Sequence, residues 1–424
     1  MGRKKKESRR ANSWTDKVKS FLGPGLVTGA SDDDPSGIAT YAQAGAAYGF
    51  SFLWTSWVAF PLMAAVQQMC ARIGLVTSSG LAGALKKHYS PLVLWLMLIC
   101  STPAIIMNIG ANIAGMGAVG NLLFPSIAAD WFSVFFTLLL LAMIIYLPYR
   151  RIASVLQYLC IVMLVYLVVP FFTRLDFSAI LQATCIPQLR FEKDYLMILV
   201  AVFGTTISPY LFFWQAIVEV EENNQHTHHI IVNRKKIHAA EQDVDVGMAF
   251  SGLIMFFIIL TTGAVLYPSG LRHIDTVEQA ASALKPLAGS AAYFLFSLGV
   301  IATGLISIPV LSGSLSYLWA ETFGWKQGLD KKFHEARAFY ITIAASLLLG
   351  LSLNYVGISP MQGLLYTAIL YGITAPVLIA IILHIANNEK IMGRFVNTRL
   401  MNILGIAALV IMTLAAVGLF WLSV

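Results

Sequence analysis

Long apolar segments separated by short polar connections run along the whole 424-residue chain. A helix needs about 20 mainly apolar residues to cross the hydrocarbon core of a bilayer. Eleven such segments can be placed, and they predict an all-α polytopic membrane protein. The predicted spans are residues 17–47, 50–73, 92–118, 128–148, 152–173, 194–220, 244–268, 289–321, 337–353, 361–385 and 402–423.

The composition agrees with a bilayer environment. Hydrophobic residues make up 58% of the chain and charged residues only 12%, whereas a soluble domain carries roughly 25% charge. The four cysteines show neither metal-ligand spacing nor a disulfide framework, so they are predicted to be small apolar packing residues. They are Cys70, Cys100, Cys160 and Cys185.

The basic residues predict the orientation of the chain. With a cytoplasmic N-terminus, 23 of the 28 Lys and Arg residues fall in cytoplasmic segments, beginning with the basic residues 1–16. Such an excess is the positive-inside pattern of plasma-membrane proteins. It places the C-terminus outside after eleven spans. It also explains the net charge of +7 without a nucleic-acid partner.

Three adjacent aspartates interrupt the first apolar segment. A charge at the bilayer centre costs about 2.5–3.5 kcal/mol, and in a continuous helix Asp32, Asp33 and Asp34 would fan out over about 200°. Pro35 disfavours the α conformation at Asp34 and suits the first position of a new helix. The sequence therefore predicts a broken helix with Asp34 as the N-cap of its second half.

A second proline interrupts the sixth span. Ser208 and Pro209 lie near the middle of its apolar run. Because five spans separate the two breaks, the broken helices cross the membrane in opposite directions. That pattern is typical of an inverted-repeat transporter with a binding site near the bilayer midplane. The predicted repeats are residues 17–173 and 194–385, followed by a loop and span 11 in 386–424.

The two breaks together favour a cation site. Each break ends a half-helix at unpaired carbonyl groups, near Thr205 and Thr206 in span 6, and such ends are negative. With the Asp34 carboxylate they would hold a cation and disfavour an anion. For Asp32 and Asp33, capping of a water-exposed helix end is an equally good interpretation.

The residues at the two breaks resemble the NRAMP family of divalent-metal transporters. That family has a LeuT-type inverted repeat of five plus five helices, with an Asp-Pro-Gly-Asn motif in span 1 and a Met-Pro-His motif in span 6. The first motif here is Asp34-Pro35-Ser36-Gly37, and the second is Ser208-Pro209-Tyr210. The resemblance extends over nearly the whole chain, and the substitutions are most like those of the NRAMP-related magnesium transporters.

The resemblance implies a set of metal-site residues. Asp34 takes the place of the metal-binding aspartate, Gly37 that of the motif asparagine and Ser208 that of the motif methionine. Thr205 takes the place of the residue with the coordinating carbonyl, while Gln215 lies where the family has histidines. The candidate metal-binding residues are Asp33, Asp34, Gly37, Thr205, Ser208 and Gln215.

The donor chemistry predicts a hard cation as the transported substrate. A thioether suits transition metals, whereas carboxylate, carbonyl and water oxygens suit Mg²⁺ and Mn²⁺. Ser208 removes the thioether, and Gly37 leaves room for an ion that keeps several of its waters, as Mg²⁺ prefers. We therefore expect transport of Mg²⁺ and Mn²⁺, with no resident cofactor, by a protein predicted to be a monomer.

Proton coupling is not expected. Span 3 has Asn108 and Asn112 but no acid, and these amides are interpreted as hydrogen-bonding groups between helices. The only arginine of span 9, Arg337, lies at its cytoplasmic end. At 100 mV, inside negative, an entering divalent ion gains about 4.6 kcal/mol. These features favour uncoupled, facilitated uptake.

Three alternatives are weaker. A proton-coupled Mn²⁺/Fe²⁺ importer of the same fold is the nearest. A sodium-coupled symporter of organic solutes is disfavoured because Asp34 occupies the helix N-terminus that would bind a substrate carboxylate. An enzyme is not predicted, because the histidines lie in a cytoplasmic connector and the aspartates lie at the midplane. These histidines are His226, His228 and His229.

Overall fold

A computed structural model describes residues 24–147, 165–172, 175–225 and 232–422, and within these ranges the chain forms helices and no strands. The helices of eight residues or more are numbered α1 to α14 in chain order. They are α1 Pro24–Asp32, α2 Pro35–Tyr48, α3 Leu53–Thr77, α4 Leu81–His88, α5 Pro91–Leu123, α6 Ala129–Tyr146, α7 Phe177–Cys185, α8 Lys193–Thr206, α9 Pro209–Gln225, α10 Arg234–Val265, α11 Ala292–Phe323, α12 Arg337–Leu353, α13 Pro360–Ala386 and α14 Arg399–Trp421.

The helices confirm a multi-pass membrane protein. Within the described ranges, nine stretches are long and apolar enough to cross a bilayer, and one of them, Pro35–Thr77, contains both α2 and α3. Predicted span 5 lies mostly outside the described residues, as do the basic N-terminus and the histidine connector. The repeat boundaries stay a prediction.

Both predicted helix breaks are present. α1 ends at Asp32 and α2 begins at Pro35, with Asp34 between them in an extended conformation, φ −66° and ψ 172°. α8 ends at Thr206 and α9 begins at Pro209. In each case a proline starts the second half-helix, where its missing N–H removes no intrahelical bond.

The predicted start of span 7 was wrong, since α10 begins at Arg234 rather than at residue 244. Asn233 caps this extension by accepting a hydrogen bond from the backbone N–H of Lys236 at 3.0 Å. One polar residue of the extension is paired with α3, because Glu241 forms an ion pair with the buried Arg72. Contacts with another helix therefore stabilise a helical segment that is too polar to be recognised as part of a span.

Glycines bring the first half of span 1 against α10. A Cβ atom on Gly247 would lie 1.9 Å from the carbonyl oxygen of Gly25, and one on Gly29 would lie 2.1 Å from the carbonyl oxygen of Gly247. Asp243 adds a polar contact, because its Oδ2 accepts a hydrogen bond from the Gly25 N–H at 2.6 Å. Small residues allow such close approach between helices in a membrane.

The first half of span 6 is held in the same way by α13. A Cβ atom on Gly204 would lie 2.2 Å from the carbonyl oxygen of Ala368, and one on Gly372 would lie 2.4 Å from the carbonyl oxygen of Val200. Both half-helices that lead into a break are thus packed directly on the backbone of a continuous helix, and this fixes the position of the breaks.

Candidate metal-binding site

Asp34 is held at the centre of the protein by hydrogen bonds to both of its carboxylate oxygens. Oδ1 accepts from the Gly37 N–H at 2.8 Å, which makes Asp34 the N-cap of α2. Oδ2 accepts from the side-chain amides of Asn108 at 2.8 Å and Asn112 at 3.0 Å. The residue is only 1% exposed. Because each carboxylate oxygen has more than one lone pair, these donors orient the group and leave it able to bind a cation.

Asn108 and Asn112 form hydrogen bonds between helices, as the sequence predicts, and both amides of α5 donate to the same oxygen of Asp34. The sequence analysis did not include them among the candidate metal-site residues. Their spacing of four residues places them on one face of a helix, and this was the available signal. Hydrogen bonds from these N–H groups complement the negative charge of the carboxylate.

Asp32 and Asp33 face a different helix. The hydroxyl of Ser251, on α10, lies 2.9 Å from Asp32 Oδ2 and 3.2 Å from Asp33 Oδ1. Both aspartates are completely buried, so the interpretation that they cap a water-exposed helix end is wrong. The break thus directs Asp34 toward α5 and its two neighbours toward α10.

Gly37 packs closely between the two breaks. A Cβ atom at this position would lie 3.2 Å from the carbonyl oxygen of Asp32 and 3.5 Å from the Thr205 hydroxyl. The carbonyl oxygen of Thr205 accepts a hydrogen bond from the Ser208 hydroxyl and keeps a second lone pair. Ser208 also lies beside the Asp32 carboxyl. The structure therefore brings Gly37, Thr205 and Ser208 close to the aspartates.

Gln215 lies away from this group. Its side chain is buried and donates to Glu219 Oε1 at 3.1 Å, one turn along α9. The resemblance placed it among the metal ligands, yet the structure pairs it with Glu219 and with none of the aspartates. Tyr210 does reach the first break, because its hydroxyl donates to the carbonyl oxygen of Ser31 at the end of α1.

The chemistry around the aspartates is that of hard oxygen donors. Among the described residues, no group of three or more His, Cys, Asp or Glu side chains is arranged to hold a metal by itself. A cation here would therefore need carbonyl, amide, hydroxyl or water oxygens to complete its coordination. A sulfur atom does lie nearby: Met255 Sδ on α10 is 3.6 Å from the Thr206 hydroxyl.

The aspartates are closed off from both membrane faces. On the predicted external side, a cavity of about 400 Å³ is lined by residues that include Gln43, Asp194 and Asp275. On the predicted cytoplasmic side, a cavity of about 360 Å³ is lined by residues that include Glu221 and Glu321. The three aspartates are buried and line neither cavity.

Comparison with known proteins gives the same architecture. The family model Nramp, described as natural resistance-associated macrophage protein-like, matches residues 25–422. A protein named divalent metal cation transporter MntH from Klebsiella pneumoniae subsp. pneumoniae is 26% identical over 396 residues, covering 90% of this chain and 89% of the relative. One of the same name from Verminephrobacter eiseniae is 27% identical over 385 residues, covering 89% and 83%.

Solved structures confirm the LeuT-type fold with broken helices 1 and 6. The Eremococcus coleocola manganese transporter superposes with a TM-score of 0.74 at 17% identity, covering 98% of this chain and 88% of that one. Mhp1, a nucleobase-cation-symport-1 family transporter, has a TM-score of 0.57 at 12% identity, covering 95% and 92%. Since the family model covers nearly the whole described chain, the protein belongs to the Nramp family.

Proposed function

We propose that this protein transports divalent cations across the membrane through a site at Asp34. The observation that carries the proposal is a buried carboxylate at a helix break that packs closely against a second helix break. The names of the relatives, which are metal transporters rather than enzymes, support it. The ions are the cargo, so the proposal needs no resident cofactor.

We further propose Mg²⁺ and Mn²⁺ as the transported ions. No sulfur ligand faces Asp34 in the described contacts, and the nearby donors are carboxylate, carbonyl, amide and hydroxyl groups. Such donors favour hard cations.

Replacing Ser208 with methionine is expected to shift selectivity toward softer metals. The thioether would lie beside Thr205 and the Asp32 carboxyl, where it could bind Cd²⁺ but would contribute little to Mg²⁺. We expect the ratio of Cd²⁺ to Mg²⁺ uptake into proteoliposomes to rise by roughly tenfold, a change equivalent to about 1.4 kcal/mol. Ser208→Ala is the matched control, since it removes the hydroxyl without adding sulfur.

A wild-type protein that carries Fe²⁺ or Cd²⁺ but no Mg²⁺ would show that donor hardness does not set selectivity here. In the Ser208 series, equal Cd²⁺ to Mg²⁺ ratios for the methionine and alanine variants would lead to the same conclusion.

We also propose that uptake is not coupled to protons. Two asparagines, rather than titratable acids, contact Asp34 from α5. The membrane potential alone provides about 4.6 kcal/mol for a divalent ion at 100 mV. The alternative is a proton-coupled Mn²⁺/Fe²⁺ importer, and the relatives named as manganese transporters favour it as the second candidate.

Proton coupling can be tested with a pH-sensitive dye trapped inside proteoliposomes. With an inside-negative potential, Mn²⁺ entry is expected to proceed without acidification of the lumen, because no protons accompany the ion. Liposomes without protein measure the background leak. Acidification that follows Mn²⁺ entry in rate and amount would instead support the proton-coupled importer.

The proposed setting is the plasma membrane, with the N-terminus in the cytoplasm and the C-terminus outside. The distribution of Lys and Arg supports this orientation, since 23 of 28 fall on one side. We propose that the protein acts as a monomer.

A further inference from the structure

We propose that Asp32, Asp33 and Ser251 form a second cation subsite, separate from Asp34, that takes the same hard divalent ions. The inference rests on the proposed cation transport. It adds a second ion position beside the break of span 1, on the side of that break that faces α10.

The first argument is a shortage of hydrogen-bond donors. The Ser251 oxygen lies 2.9 Å from Asp32 Oδ2 and 3.2 Å from Asp33 Oδ1. A hydroxyl carries one hydrogen, so it can donate fully to only one of these carboxylates. With both carboxyls ionised, the other contact sets a carboxylate oxygen against the lone pairs of the hydroxyl, and a cation bound to both oxygens would make that contact favourable.

The second argument is an unsatisfied acceptor at the same place. Asp33 Oδ2 accepts no hydrogen bond from any residue that the structure describes, although the side chain is fully buried. A buried acceptor without a partner is costly, by roughly 1–3 kcal/mol and more when it is charged. An oxygen left in this state points to a ligand that binds there.

The third argument is the balance of charge. Asp32, Asp33 and Asp34 are all buried, and none of them forms an ion pair with a basic side chain in the described part of the chain. One divalent ion at Asp34 would neutralise only two of three carboxylates. With all three carboxyls ionised, one negative charge then remains, and it attracts a further cation to Asp32 and Asp33.

The two ion positions use different protein groups. Asp34 is oriented by α5 and by the N-terminus of α2, whereas Asp32 and Asp33 are contacted from α10. Two carboxylates and a hydroxyl are hard donors, and Mg²⁺ is usually held by one or two carboxylates together with water. Ser208, which lies beside Asp32, extends the same set of oxygens toward span 6.

The test is the number of Mn²⁺ ions bound per chain, measured on the purified full-length protein from the loss of the free Mn²⁺ signal in electron paramagnetic resonance. Wild-type protein is expected to bind two ions. Asp33→Asn and Asp34→Asn should each bind one, and the double variant none. Ser251→Ala should lower the affinity for one of the two ions by about tenfold. Asp176→Asn, an exposed helix cap, is the control and should bind two.

Elution as a single monodisperse peak and an unchanged melting temperature establish that each variant is folded. One ion per wild-type chain, with the same number in Asp33→Asn, would overturn the second subsite and leave Asp34 as a single site. Two ions in both the wild type and Asp34→Asn would count against Asp34 as the principal ligand, which is the proposed function. The Asp33 and Asp34 variants therefore report on the two proposals separately.

Discussion

Replacing Asp34 with asparagine is expected to reduce Mg²⁺ and Mn²⁺ uptake into proteoliposomes by more than about 100-fold, since even groups that only orient a metal ligand change affinity by 10–100-fold. The variant keeps the size of the side chain but loses its negative charge. Its amide would also present N–H groups to the donors of Gly37, Asn108 or Asn112. Uptake of ⁵⁴Mn²⁺ measures the loss directly.

Asp176→Asn is the matched control for this experiment. Asp176 also caps a helix, accepting from the Ser178 N–H at 3.0 Å, but it is exposed and contacts none of the buried aspartates. It should transport at close to the wild-type rate. If Asp34→Asn also transported at the wild-type rate, Asp34 would have no essential part in moving the ion.

Replacing Gly247 with alanine is expected to have the largest effect on stability. The new Cβ would lie 1.9 Å from the carbonyl oxygen of Gly25 and so force α1 away from α10. Overpacking commonly costs 1–3 kcal/mol, and a clash with backbone atoms, which cannot rotate away, should reach about 3 kcal/mol. We expect the melting temperature in detergent to fall by about 5 °C or more, with uptake falling as the half-helix moves.

Gly252 offers a control on the same helix. A Cβ atom there would have its nearest neighbours at 3.6 Å and 3.7 Å, on the side chains of Phe60 and Met63, which is ordinary contact. Gly252→Ala should therefore leave stability unchanged, or raise it because alanine favours a helix by about 1 kcal/mol. Equal melting temperatures for the two alanine variants would mean that the close packing of α1 on α10 does not stabilise the protein.

The fold could be predicted from the sequence because its main signals are local. Pro35 and Pro209 each act on their own backbone and on the residue before them, so both breaks could be placed to within a residue or two. The apolar segments likewise mark spans without reference to any other part of the chain. The start of α10 at Arg234 was missed, because that segment depends on pairs such as Glu241 with Arg72.

The site could be predicted only in part, since side-chain direction depends on tertiary packing. Asp34 was identified from its position before a proline, and the structure surrounds it with polar contacts. Ser251 was missed altogether because nothing in its own neighbourhood distinguishes it from other serines in spans. Gln215 shows the opposite problem: an aligned position does not say where a side chain points, and this one points to Glu219.

Isothermal titration of Mg²⁺ into the purified wild-type and Asp34→Asn proteins tests the metal site most directly. The account predicts a saturable heat of binding for the wild type and for Asp176→Asn, and one fewer Mg²⁺ ion bound per chain for Asp34→Asn over the same range of concentration. Equal Mg²⁺ binding by the wild type and Asp34→Asn, or a wild type that binds Cd²⁺ but no Mg²⁺, would contradict a site built on this carboxylate for hard cations.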